Sequence, residues 1–418
     1  MTIMAQQTAR IATMGQLGEG VTKVAGQPVF VPFALPGEEV SLLIEGERAR
    51  LQQVLTPSAE RRQPFCRHFG RCGGCALQHW EEEAYRAWKR QLLVTALSYA
   101  GLDPAVAPII DAHGEGRRRV TLHVRFQGGK GVQGKVLAGF MMARSHEVID
   151  LDQCPILVPM LDPAPEIARQ LGTLLGSIRK PLDVQLTATE AGIDADLRGS
   201  GRIEPAMRIA LGDAAIRLNL ARLTLHGEII VEQRSPVIRF GSARVTPPAG
   251  GFLQATLLGE EILSRLVLDG VGGAKSIADL FSGVGPFALR LAAQASVLAA
   301  DSSEPSIAAL KRGHSSVQGL KPVRADARDL FRRPLLSSEL KGVDAVVLDP
   351  PRAGAQAQMR ELAGSTIATI VSVSCNPASF ARDAAILVAG GYRLCMVTPV
   401  DQFKFSAHLE CVGVFRRV

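Results

Sequence analysis

From Gly273 to its end the chain alternates short apolar runs with amphipathic ones, and this alternation restricts the fold more than any other feature. Residues 276–281, 296–301, 343–349, 366–375, 392–399 and 409–415 have the length and apolar content of buried strands. Residues 286–294, 304–317 and 377–388 carry apolar side chains at helical spacing. Strands that alternate with helices pair in parallel through crossovers, and ligands then gather at the strands' carboxyl ends. A short connection joins the last two runs, which predicts an antiparallel pair.

This α/β domain is assigned to 246–418, and the 418 residues leave room for two more domains. Residues 1–62 hold short glycine-punctuated runs (29–31, 40–44) around a turn at 35–38. They predict a small OB-like β-barrel of the kind that binds oligonucleotides. Residues 63–245 form an α+β pattern, with strand-like runs at 120–126, 136–142, 182–189 and 229–234 and a helical run at 165–178. Trp80, Tyr85, Trp88, Leu92 and Ala96 share one helical face, which predicts an aromatic stripe packed in a core.

The chain has no apolar run of 18 residues, and its first ten residues have no apolar leader segment. A cytoplasmic protein without membrane contact is expected, with its seven cysteines reduced. The net charge of +7 favours a polyanionic partner. Arginines 48, 50, 61, 62, 67 and 71 face one acid, Glu60, across 48–71. This run, with a second basic spot at Arg117, Arg118 and Arg119, is read as phosphate-contacting surface.

The turn Asp279-Leu280-Phe281-Ser282-Gly283-Val284-Gly285-Pro286 joins a strand to a helix. Its glycines allow close backbone approach, and Asp301 ends the next strand where ribose hydroxyls would lie. Either a dinucleotide or S-adenosylmethionine fits that layout, as does plain tight packing. Asp326 is a candidate for an adenine amine, or equally a solvated loop carboxylate. Asp349-Pro350-Pro351-Arg352 follows an apolar strand and would point a carboxylate into the crevice. Methylases of exocyclic amines have an aromatic where Arg352 stands, which argues against that chemistry.

Cys375, in Ser374-Cys375-Asn376-Pro377, ends the next strand just before a helix, where the helix N-terminus should lower its pKa. A thiolate there could add to C6 of a pyrimidine and activate C5 toward a methyl donor. Glu410, entering the last apolar strand, is the candidate base, with a strand-edge surface carboxylate as the alternative. Cys66, Cys72 and Cys75 (C-x5-C-x2-C), with Cys154, form a ligand set for zinc or an iron–sulfur cluster, and the spacing leans slightly to the cluster.

Taken together, these ordered motifs resemble the iron–sulfur-containing uracil-C5 RNA methyltransferases, the 23S rRNA (uracil-5-)-methyltransferase type, over nearly the whole chain. The resemblance implies a Rossmann-like class I methyltransferase domain behind a TRAM barrel and a central domain. It implies S-adenosylmethionine and a [4Fe-4S] cluster as cofactors, the cluster on Cys66, Cys72, Cys75 and Cys154. It implies Cys375 as nucleophile and Glu410, in His408-Leu409-Glu410, as base. Gln254 (in Phe252-Leu253-Gln254), Phe281, Gly283, Asp301, Asp326 and Asp349 fall at the cofactor and substrate. Thr256 stands where the family has Asn, Ser282 where it has Cys, and Asp301 where it has Glu. The implied partner is RNA, 23S rRNA first, acted on by a monomer. A tRNA methylase keeps the chemistry with another substrate. A nicotinamide oxidoreductase leaves Cys375, Glu410 and the cysteine cluster without a joint purpose. A non-enzymatic cluster-bearing RNA-binding protein leaves Cys375 unexplained. Cytosine-C5 transfer would call for proline-cysteine motifs that are absent.

Overall fold

The structure, a computed structural model, describes residues 6–127 and 135–418. Residues 1–5, part of the stretch read as lacking a leader, lie outside the described residues. The chain divides into two compact units, the first formed by 1–92, 140–149 and 403–408 and the second by the remainder. The sequence reading sets its functional boundaries elsewhere, at 62/63 and 245/246.

In the first unit six strands make one sheet, in the order Gln6–Arg10, Glu39–Glu45, Arg48–Thr56, Gln27–Pro32, Glu19–Val24, Thr13–Met14. Ile11, Val31, Val40 and Leu42 fill its core. A Cβ at Gly20 would lie 2.7 Å from the Ala34 carbonyl oxygen, so only glycine permits that strand approach. Trp80 and Tyr85 pack with Leu35 and Leu77, as the aromatic stripe predicted. The arginine run is partly structural: Arg61 pairs with the fully buried Glu38 and Arg48 with Glu19, leaving Arg50 and Arg71 among those exposed.

The second unit carries most of a seven-stranded sheet and all of a larger one. The seven-stranded sheet has Arg119–Gln127, Leu182–Thr189 and Gly192–Arg198 at its centre. Val120, Leu122 and Val124 alternate inward along its first central strand, as expected. The larger sheet runs Val323–Ala327, Ser296–Asp301, Ser276–Leu280, Ala345–Leu348, Thr369–Ser374, Glu410–Arg417, Tyr392–Asp401. Its first five strands are parallel, and Glu410–Arg417 lies antiparallel to both neighbours. Ala105–Val106 and Ile110–Asp111 complete it, both pairing with Tyr392–Asp401. These two short strands have no periodic signal in the sequence.

Large apolar clusters cover both faces of this sheet. The helix expected at 286–294 is regular only over Ala288–Leu291. Pro286 has no N–H to give, and after Leu291 the chain tightens into bonds such as Ala293 N–H to the Arg290 carbonyl (3.2 Å). Among the described residues, no helix is long and apolar enough to cross a membrane.

Candidate active site

Strand order reverses between Ser276–Leu280 and Ala345–Leu348, which opens a crevice at their carboxyl ends. Phe281, Asp301, Asp349 and Cys375 each stand at the carboxyl end of a parallel strand. Glu410 joins them because its strand runs the other way, so its first residue falls at that same edge. Register confirms this: Ser374 faces Cys411, one residue from Cys375 on one strand and from Glu410 on the other.

The two turn glycines serve different ends. Gly285 has φ +89°, and a Cβ there would lie 2.8 Å from Leu310, so it permits packing against the next helix. Gly283 has φ +53°, and a Cβ there would meet nothing within 4 Å, so its bare backbone faces open space. Phe281, without a glycine's freedom, is held at φ +62° between strand and turn. The Asp301 carboxylate accepts from Gly283 N–H (2.9 Å) and Ser303 N–H (2.8 Å), which pins the turn to the next strand. Asp279 is fully buried; the Ala288 N–H leans toward its carboxylate, which meets no hydrogen bond of full geometry. Burial, then the nearby Asp349 charge, pushes its pKa well above the usual carboxylate range. An orphaned carboxylate beside a bare-backbone turn fits the ammonium and ribose of S-adenosylmethionine. Asp326 is half-exposed and its carboxylate pairs with Arg324 at 2.9 Å.

Gln254 is buried and donates from Nε2 to Asp349 Oδ2 (2.9 Å). Its loop is anchored from below by Arg118, which sequence reading placed on a basic surface. The structure instead buries Arg118 against Glu260, and its Nε donates to the Gln254 carbonyl (3.1 Å). Burying that charge is tolerable because Glu260, itself shared with Arg290 (2.9 Å), neutralises it. Thr256 explains its own departure from the family pattern. It caps the helix Leu257–Val271 by accepting from Gly259 N–H (2.9 Å), a task Asn performs equally well. Thr256→Ala is expected to cost ~1 kcal/mol in denaturant unfolding, and Thr256→Asn to restore most of it.

Cys375 corrects one expectation. Its thiol is pushed up to about 11, first by burial and then by Glu410 and Asp349, with Arg352 partly offsetting them. The N-terminus of the helix Pro377–Ala389 is already occupied by its cap, Asn376, which accepts from Ala378 N–H (3.0 Å). The resting group is therefore a thiol rather than a thiolate. Glu410 is buried; Oε1 accepts from Gln402 Nε2 (3.1 Å) and Oε2 has no partner. Burial, then Asp349, raises its pKa, and burial raises that of Asp349. Gln402, which links these groups, was not singled out in the sequence.

Cys66, Cys72 and Cys75 share one loop of the first unit, and Cys154 lies in the second. Among the described residues no three His, Cys, Asp or Glu groups converge as ligands of one metal ion. Cys66, Cys72 and Cys75 lie within ten residues and are the donor type that a thiolate-bound group takes. Gly74 N–H points at Cys72 Sγ (3.4 Å), and burial with the neighbouring Cys66 raises the Cys72 thiol. Zinc draws its sulfurs to ~2.3 Å of one point.

The sheet, glycine turn and acidic strand ends define a Rossmann-like methyltransferase of the S-adenosylmethionine-dependent class. Residues 266–418 match the family model described as tRNA (Uracil-5-)-methyltransferase. A protein of Brucella suis biovar 1, described as an uncharacterized RNA methyltransferase, is 47% identical over 407 residues, 97% of each chain. The 23S rRNA (uracil(1939)-C(5))-methyltransferase RlmD of Chromohalobacter salexigens is 32% identical, over 96% of this chain and 87% of that one. The structure of Pyrococcus abyssi tRNA (uracil-54, C5)-methyltransferase with S-adenosyl-L-homocysteine shares the fold (TM-score 0.75, 23% identity, 98% and 99% of the two chains). The chain belongs to the RNA (uracil-5-)-methyltransferase family.

Proposed function

We propose that this enzyme methylates C5 of a uridine in 23S rRNA through a covalent adduct between Cys375 and the uracil. The meeting of a thiol, two carboxylates and Gln254 at one sheet edge carries this reading. The flipped-out base presents C6 to Cys375. The Cys375 thiol gives up its proton to solvent, the thiolate forms the S–C6 bond, and the C5=C6 electron pair moves to C5 and the ring carbonyl. When bound, S-adenosylmethionine would supply its sulfonium methyl group to C5 and leave as S-adenosylhomocysteine. Glu410 then takes the C5 proton on Oε2, the C5=C6 bond reforms and sulfur leaves as the thiolate. Asp349 and Gln254 orient the uracil edge and the cofactor. Asp279, Phe281, Gly283, Asp301 and Asp326 line the cofactor side.

The 23S target is favoured by the 32%-identical relative that bears that name, and tRNA is the alternative substrate. The division of labour follows the sequence: 1–62 grips RNA, 63–245 shapes its path with the cluster, and 246–418 performs the chemistry. The protein works as a cytoplasmic monomer. Cys66, Cys72, Cys75 and Cys154 would hold a [4Fe-4S] cluster that ties the cysteine loop down. Protein purified without oxygen is expected to carry about four iron and four sulfide per chain, and a Cys72→Ser variant markedly less. Iron at background in the unsubstituted protein would remove the cluster.

The test of function uses total RNA from a strain lacking the gene, the anaerobically purified protein and methyl-labelled S-adenosylmethionine. Label in 5-methyluridine of the large rRNA is expected. Label in tRNA alone changes the substrate, and label in no RNA overturns the reading.

A further inference from the structure

We infer that Gln402 is a positioning residue whose side-chain amide fixes how Gln254 and Glu410 present their polar atoms to the uracil. The inference rests on the uracil-C5 reading above. Gln402 follows Asp401, the last residue of its strand, and is fully buried. Its Oε1 accepts from the Ala255 backbone N–H (2.9 Å). Its Nε2 donates both to Gln254 Oε1 (2.7 Å) and to Glu410 Oε1 (3.1 Å). Gln254 Nε2 in turn donates to Asp349 Oδ2 (2.9 Å).

A side-chain amide turned over exchanges donor for acceptor at nearly no cost in shape. Here the direction is set at one end by a group that can only donate, the Ala255 N–H. Gln402 must meet it with oxygen, so its NH₂ must face Gln254 and Glu410. Gln254 must then meet Gln402 with oxygen and turn its own NH₂ to Asp349. Glu410 is held by one oxygen, which leaves Oε2 as the atom free to take a proton. One backbone N–H thus orients three side chains that touch or adjoin the reacting base. The packing is cut to admit this amide: a Cβ at Gly259 would lie 2.8 Å from Gln402 Oε1 and 2.9 Å from its Cβ. A residue that merely filled space would not need the three hydrogen bonds.

The experiment compares the full-length enzyme with Gln402→Met, which keeps length and volume but removes the amide, and Gln402→Glu, which keeps the acceptor toward Ala255 but replaces the donor. Each is assayed on the RNA that the unsubstituted enzyme methylates. The readouts are 5-methyluridine released, protein–RNA adduct surviving denaturation, affinity for S-adenosylmethionine and the melting transition. For Gln402→Met, kcat is expected to fall about 10- to 100-fold with cofactor affinity held within about two-fold, while a methylated adduct accumulates that the unsubstituted enzyme does not show. Gln402→Glu is expected to show the same adduct. Loss of stability alone lowers activity without building up adduct. Turnover within about three-fold of the unsubstituted enzyme and no adduct in a folded variant overturns the inference, as does loss of the melting transition in both variants. No methylation by the unsubstituted enzyme overturns the uracil-C5 reading itself, and this inference with it.

Discussion

Cys375→Ala is expected to bring methyl transfer to background, a loss of at least ~10⁴-fold in kcat. Without the sulfur there is no addition to C6, and C5 of uracil in its aromatic state is too weak a nucleophile to take a methyl group. Cys375→Ser is expected to fail as well, because a hydroxyl in a site that already raises a thiol to about 11 stays protonated. Both variants should still bind S-adenosylmethionine, since Asp279 and Asp301 lie on other strands and Gly283 in the turn after one of them. Equilibrium binding of labelled cofactor beside a methyl-transfer assay makes the check. Turnover by Cys375→Ala within ten-fold of the unsubstituted enzyme removes the covalent route.

The second large effect falls on Glu410→Gln. This isosteric change should permit addition and methyl transfer once, then stop, because an amide does not take the C5 proton. Multiple turnover is expected to fall about 10²- to 10⁴-fold while nearly every enzyme molecule carries a methylated RNA adduct on a denaturing gel. In the unsubstituted enzyme, adduct resolution should quicken as pH rises, because burial and Asp349 hold the Glu410 proton above the usual carboxylate range and only the ionised form acts as base. The same shift bears on stability. A carboxylate whose folded pKa exceeds its unfolded one stabilises the fold at low pH, and that contribution is lost as pH climbs through the folded value. Glu410→Gln should therefore unfold at a higher denaturant concentration than the unsubstituted protein at alkaline pH, and near the same concentration in acid.

Residues whose role is fixed by local pattern were legible in the sequence. The strands 182–189 and 296–301 were read to the residue, because apolar content and turn signals bound them. Cys375, Asp349 and Glu410 were legible as strand-end groups; that Glu410 shares their edge emerges only from the register of the antiparallel last strand. Gln402 was not, since one amide among many has no periodicity and its burial is decided by Gly259 and Ala255, over 140 residues away. Arg118 was misread for the same reason: charge runs look alike until a distant Glu260 draws one member inward. The thiol's pKa was misjudged because sequence shows the helix ahead of Cys375 but not the two carboxylates across the sheet.

The pairing of Ala105–Val106 with Tyr392–Asp401 sets a timetable for the growing polypeptide. Val106 meets Val397 about 290 residues later in the chain. At ribosomal rates of ~5–20 residues per second, that strand and the buried Leu93 and Leu97 just before it wait ~15–60 s for their partner. For that interval apolar surface and an unpaired backbone edge stand open on the nascent chain. A fragment starting at 246 could never close this sheet, however intact its cofactor motifs.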